Sequence, residues 1–153
     1  MPRQRVLLGT TLLPASTLRN HVRNGLGALP QAHRNLVAQD LRRHVGDSLD
    51  FDNATRADNP NANRWDYLLS VPNESKVVGL EPHTARDDQI RVVIAKKEHT
   101  AQYLRNHLLP RHRPLRWFWV TSGRVGFSRM ERAIRQLNQA GIAFEGRLLS
   151  SFN

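Results

Sequence analysis

The chain predicts a mixed α/β fold: a single domain, residues 1–153, in which a central mixed β-sheet is flanked by helices. Three observations carry that expectation. Its 153 residues, 39% of them hydrophobic, suffice for a core without a covalent staple. Two strand-like runs, 64–71 and 76–83, flank the turn-forming Pro72-Asn73-Glu74-Ser75. Beyond them, helical and extended patterns alternate to the C-terminus, and strand–helix–strand units close economically over the face of one sheet.

Taken in order, residues 1–60 form a helical N-terminal part. Helices are expected from Ser16 to about Asn24 and from Pro30 to about His44. Pro30 suits a first turn, Val37, Leu41 and Val45 share one stripe, and Gly46 suits the stop. The polar stretch 47–63 reads as a loop or linker, with Asp50-Phe51-Asp52 as capping or turn chemistry. The mixed-sheet core spans 64–153. After the hairpin, Ile90-Arg91-Val92-Val93-Ile94-Ala95 reads as a third meander strand, reached through a turn at 85–89. A helix then runs from about Glu98 to Leu109, stopped by Pro110. Arg116 to Thr121, apolar in succession, reads as a central strand covered on both faces. Ser128-Arg129-Met130-Glu131 is a capping box opening a helix that ends at Gly141, and 142–149 makes a last strand.

The net charge of +10, carried mainly by arginine, favours a polyanionic partner, nucleic acid ahead of a membrane surface. The absence of cysteine excludes disulfides, thiolate zinc sites and cysteine nucleophiles, and fits a cytoplasmic protein. No segment reads as a leader or as a membrane span. His99, His107 and His112 lack zinc spacing, and no Gly-rich phosphate loop occurs.

The chemistry concentrates in the hairpin. With the turn centred between Asn73 and Glu74, antiparallel pairing sets Asp66 opposite Glu81, their Cβ atoms about 5 Å apart. Two carboxylates so placed repel, and a divalent cation is one compensation. Phosphodiester hydrolysis requires such parts: charge neutralisation at the phosphate, a bound water of lowered pKa and a positioned proton acceptor. His83 follows Glu81 by two positions and titrates near neutrality. Lys96 becomes a diagonal neighbour of Glu81 if the 76–83 and 90–95 strands pair about Asp87-Asp88. Arg105, Arg111, Arg113, Arg116 and Arg124 cluster in sequence as phosphate contacts.

An acid on one meander strand and Glu-x-basic on the next, in the order strand–strand–strand–helix–strand, resembles the PD-(D/E)XK nuclease superfamily, the restriction-endonuclease-like fold. The resemblance covers residues 64–121. It implies that Asp66 and Glu81 bind Mg2+ or Mn2+ and that a basic residue serves the attacking water, with His83 standing where the motif has lysine and Lys96 as its substitute. A metal-dependent nuclease, alone or within a defence or repair assembly, is the leading expectation. Its rivals are the same fold with a silent site that binds nucleic acid or a protein, and a toxin- or immunity-type protein that binds a partner.

Overall fold

The computed structural model describes residues 6–114 and 116–153, and the start of the N-terminal stretch judged for a leader lies outside them. Among the described residues, six strands form one sheet in sequential order: β1 (Val22–Asn24), β2 (Asp47–Asp50), β3 (Tyr67–Val71), β4 (Lys76–Pro82), β5 (Arg116–Val120) and β6 (Ile142–Phe144). The first four pair antiparallel, whereas β4, β5 and β6 run parallel. Two helices provide the crossovers, α5 (Asp87–Leu104) after β4 and α6 (Met130–Gln139) after β5. Four shorter helices, α1 (Leu8–Thr11), α2 (Gln31–Arg34), α3 (Gln39–Arg42) and α4 (Phe51–Thr55), precede them. None of these helices is long and apolar enough to cross a membrane.

The hairpin takes the expected register. Tyr67 pairs with Leu80 and Val71 with Lys76, and the turn is a single 3-10 turn over Pro72–Glu74, with Ser75 in the left-handed region. β5 is buried on both faces: Trp117 and Trp119 point to one core, Phe118 and Val120 to the other. The first core also holds Leu68 and Val77 of the sheet, Ile90, Val93 and Leu104 of α5, and Ala133 and Leu137 of α6. The second is closed by Leu29, Leu36, Val37 and Val45 with Leu149 and Phe152. Alternation along each strand therefore builds helices above the sheet, and irregular chain with short helices below it.

Gly79 shows how tight the upper layer is. Trp65 and Trp117 meet edge to face, ring centres 5.2 Å apart, directly over this residue. A Cβ at Gly79 would lie 2.6 Å from the Trp117 ring and 2.8 Å from Trp65 Nε1. Gly79→Ala is therefore expected to cost about 1–3 kcal/mol by overpacking, read as a lower urea midpoint at unchanged slope.

Several expectations are corrected. Residues 90–95 are helical, the first half of a long α5 that also absorbs most of the helix expected from Glu98. Ile90, Val93, Thr100 and Leu104 recur at helical spacing and are all buried, so one continuous face on the core outweighs the strand preference of Val92-Val93-Ile94. Asp87 and Asp88 also suit the positive end of the helix. The stretch 47–63 is not a simple loop, since it contributes β2 and α4. The polar residues of β2 are accommodated because each is bonded. Asp47 accepts from the Leu8 and Gly9 N–H groups at 2.8 and 3.0 Å and from Ser70 Oγ at 2.5 Å, and Ser48 Oγ accepts from the Ala28 N–H at 3.0 Å. The expected helix at 16–24 is a 3-10 turn at 17–21 followed by β1, and the one at 30–44 is broken into α2 and α3. Val37, between those two, bridges to Leu149. Ser128 caps nothing in α6, because its hydroxyl donates to Asp87 at 2.6 Å. The last strand stops at Phe144.

Candidate active site

The β3–β4 register, continued one residue beyond Tyr67 and Leu80, brings Asp66 to Glu81 as the sequence predicts. The Asp66 N–H donates to Glu81 Oε1 at 2.8 Å. Pro82 does not disturb this arrangement, because β4 runs through it and pairs it with Val120 of β5. Glu81 lies on the sheet face shared by Val77 and is fully buried. Asp66 keeps 23% of its side chain exposed. The carbonyl of Asp66 accepts from the N–H groups of Phe51 and Asp52 at 2.9 and 3.3 Å, which ties the start of α4 to the site.

Lys96 arrives from above. Halfway along α5, its ammonium forms an ion pair with Glu81 Oε2 and lies 3.5 Å from Asp66 Oδ1. The predicted neighbour is therefore present although the predicted strand is not: a helix crossing the sheet delivers it. His83 follows β4. Its N–H donates to the Val120 carbonyl at 2.9 Å, and its carbonyl accepts from Trp119 Nε1 at 2.9 Å. Its Nδ1 lies 3.3 Å from Glu81 Oε2 and its Nε2 2.7 Å from Gln89 Oε1. Both ring nitrogens thus face oxygen acceptors, an arrangement that suits imidazolium.

Electrostatics follow from burial and these partners. Burial, reinforced by the Glu81 charge, pushes the Asp66 carboxyl up to about 7 against the pull of Lys96. His83 is raised by its contact with Glu81 and, after the opposing effect of burial, by Gln89. Burial would lower Lys96, yet Glu81 and Asp66 outweigh it and hold the ammonium above its ordinary value. Lys96 first and His83 second thus offset part of the repulsion between the carboxylates, and the raised Asp66 carboxyl reflects the remainder.

The remaining candidates separate. Asp50 caps α4 by accepting from the Asn53 N–H at 3.0 Å, and Asp52 is engaged by Arg56 at 2.6 Å and Arg64 at 2.9 Å. Neither gathers with Asp66 and Glu81 into a group of three ligating side chains. Arg105, Arg111, Arg113 and Arg116 lie between α5 and the beginning of β5, where Arg116 is level with Val78. Glu81 is level with Trp119, roughly 10 Å further along the strand. Only Arg124 of the expected phosphate contacts stands at the carboxylate end. Gln89 joins the site although its local sequence reads as a turn. Its signal was helical spacing, since Gln89 and Lys96 are seven residues apart and share a face once 87–104 is read as one helix.

No group of three ligating side chains gathers among the described residues. Asp66 and Glu81 nonetheless suit Mg2+ or Mn2+, hard cations that are commonly bound through one or two carboxylates together with substrate phosphate and water. Glu81 Oε1 is taken by a backbone N–H, so the ion would compete with Lys96 for Oε2 and meet Asp66 on its part-exposed side. No protein-family model, curated protein or solved structure matches this chain, and the reading of the site rests on its geometry and chemistry.

Proposed function

We propose that this chain is a metal-dependent nuclease-like protein acting on phosphodiester bonds. The observation that carries the reading is the convergence of Asp66, Glu81 and Lys96 at one end of the sheet. The element order supports it as well. Apart from the short α4 between β2 and β3, the order strand–strand–strand–helix–strand is met by β2, β3, β4, α5, β5, with the acid at the entry of the middle strand and the glutamate near the end of the third. On this reading β2 takes the place expected of 90–95 in a restriction-endonuclease-like arrangement.

Asp66 and Glu81 would hold the ion, whose chemistry is to lower the pKa of a water and to neutralise charge at the phosphate. Lys96, kept protonated by both carboxylates, is an electrostatic group: it orients water by donation and stabilises negative charge developing on the phosphoryl oxygens. His83, with both nitrogens engaged, fixes Glu81 and stands as a second cation rather than as a free base.

A second reading has its own observation. Lys96 already neutralises Glu81, and His83 occupies the motif position of lysine, as expected of a silent site in a module that binds nucleic acid or a protein partner, whether in a defence assembly or in a toxin–immunity pair. The deciding assay incubates the protein with plasmid DNA, circular single-stranded DNA and structured RNA in Mg2+ and in Mn2+, beside Asp66→Ala and Glu81→Ala. Cleavage is expected from the wild type and a loss of at least about a hundredfold from each variant. Salt-sensitive binding without cleavage in either metal gives the assignment to the silent module.

A further inference from the structure

The chain folds three segments together at the carboxylate end of β4, β5 and β6. The Gly126 N–H donates to the Ala85 carbonyl at 2.8 Å, and the Thr121 N–H to the Gly146 carbonyl at 2.9 Å. Segments 83–86, 121–129 and 145–147 therefore make one continuous rim. It carries Arg86, Arg124, Arg129 and Arg147 against a single carboxylate of its own, Glu145.

The rim is held from beneath. Phe127 packs edge to face on Trp119, ring centres 5.4 Å apart, and on Phe144 at 4.9 Å. Ser128 is fixed to Asp87 by its hydroxyl and its N–H. A Cβ at Gly126 would come within 3.2 Å of the Ala85 carbonyl, so the backbones lie in close contact there. Arg124 and Arg129 are thus exposed side chains on an anchored loop, and little ordering is needed for them to meet a ligand.

Two of the nearby acids are already engaged, and Glu145 alone is left on the rim. Asp88 pairs with Arg86 at 3.3 Å, and Asp87 accepts from Ser128. Among the described residues, Arg124, Arg129 and Arg147 form no ion pair. Three guanidinium groups outside any ion pair, on a rim with one carboxylate of its own, leave a net positive charge that attracts polyanions. Ligands of open sheets bind outside the carboxyl ends of the parallel strands, which is where this rim stands. β6 is two strand spacings from β4, so the segment after Phe144 lies about 10 Å from the Glu81 strand, within the span of a few phosphates.

We propose that Arg124, Arg129 and Arg147 grip the phosphodiester backbone of a nucleic acid beside Asp66 and Glu81, and that Arg105, Arg111, Arg113 and Arg116 do not. The assignment rests on the nucleic-acid reading of the site and deepens it. All three guanidinium groups are exposed, so their removal leaves the core untouched.

The test measures, in EDTA and across a salt series, binding of a short labelled DNA duplex, its single strand, the matching RNA strand and polyglutamate. It compares wild type with Arg124→Gln/Arg129→Gln/Arg147→Gln and with Arg105→Gln/Arg111→Gln, after thermal melts have shown equal folding. The expected result is nucleic-acid binding whose salt slope falls by about 2–3 in the triple variant and is unchanged in the pair. The preferred strand type then names DNA or RNA. An equal fall in both variants, a fall only in the pair, polyglutamate bound as tightly as nucleic acid, or no wild-type binding would overturn the assignment. Failure of the nuclease reading looks different: rim-dependent binding with no cleavage in Mg2+ or Mn2+ keeps the grip and removes the catalysis.

Discussion

Lys96→Met is expected to lower the free energy of unfolding by about 3–5 kcal/mol at neutral pH, the cost of leaving a buried carboxylate without its cation. Glu81 is fully buried and its Oε2 pairs with the Lys96 ammonium. Methionine keeps most of the lysine stem in place and removes the charge, so the loss is electrostatic rather than a cavity effect. His83 remains on Glu81 and limits the damage, but it neutralises one carboxylate where Lys96 serves two. A urea-unfolding cycle isolates the pair: Lys96→Met/Glu81→Gln should recover most of the stability lost in Lys96→Met, since the fully buried Glu81 charge is removed together with its partner. Acidification should also shrink the loss, because protonated carboxyls no longer require the ammonium. Equal unfolding free energies for wild type and Lys96→Met would show that the ammonium does not hold the site together. The same variant should abolish cleavage, whereas rescue by Glu81→Gln should restore only stability.

The legible part of this molecule was the hairpin. Its register follows from one turn and strict alternation, and the pairing Tyr67–Leu80 carries Asp66 to Glu81. β5 was legible for a similar reason, as an unbroken apolar run has few places to go but the centre of a sheet. What failed were segments whose local preference opposes their tertiary setting. Val92-Val93-Ile94 is β-branched, yet 87–104 is helical because Ile90, Val93, Thr100 and Leu104 must face one core. β2 has the sequence Asp-Ser-Leu-Asp, and only its bonds to Leu8, Gly9, Ser70 and Ala28 make it a strand. Lys96 therefore reaches the site on a helix, where its local sequence favours a strand. The chemistry of the residue was readable, since a long cation within reach of two acids is a natural partner, whereas its carrier depended on contacts far away in sequence. The arginines illustrate the converse: 105–116 are neighbours in sequence, but the crossover carries them to the end of the sheet away from Glu81, while Arg129 and Arg147 reach the near end from distant segments.

Asp66→Asn is expected to stabilise the protein at pH 8 while abolishing cleavage. The Asp66 carboxyl is raised to about 7 in the folded state by burial and then by Glu81, against its ordinary value of 3.8. A raised carboxyl means that the folded state binds the proton more tightly than the unfolded one, so stability falls as pH rises between about 4 and 7. His83 acts in the same direction at higher pH: with its folded value raised, its contribution is complete below its ordinary 6.5 and is lost as pH climbs through the raised folded value. Asparagine cannot ionise and so escapes the first of these penalties. At about 1.4 kcal/mol per pH unit over roughly three units, the variant should exceed wild type by on the order of 2–4 kcal/mol at pH 8, and the two should converge near pH 4. Unfolding free energies measured across that range give both the sign and the midpoint. A group that weakens the fold when charged and yet is required in its charged form for turnover is held there by function, since removing a merely structural acid would destabilise. If Asp66→Asn proves less stable than wild type at pH 8, the carboxylate is a structural partner of Lys96, and Asp66, Glu81 and Lys96 belong to the fold of a binding module rather than to a nuclease.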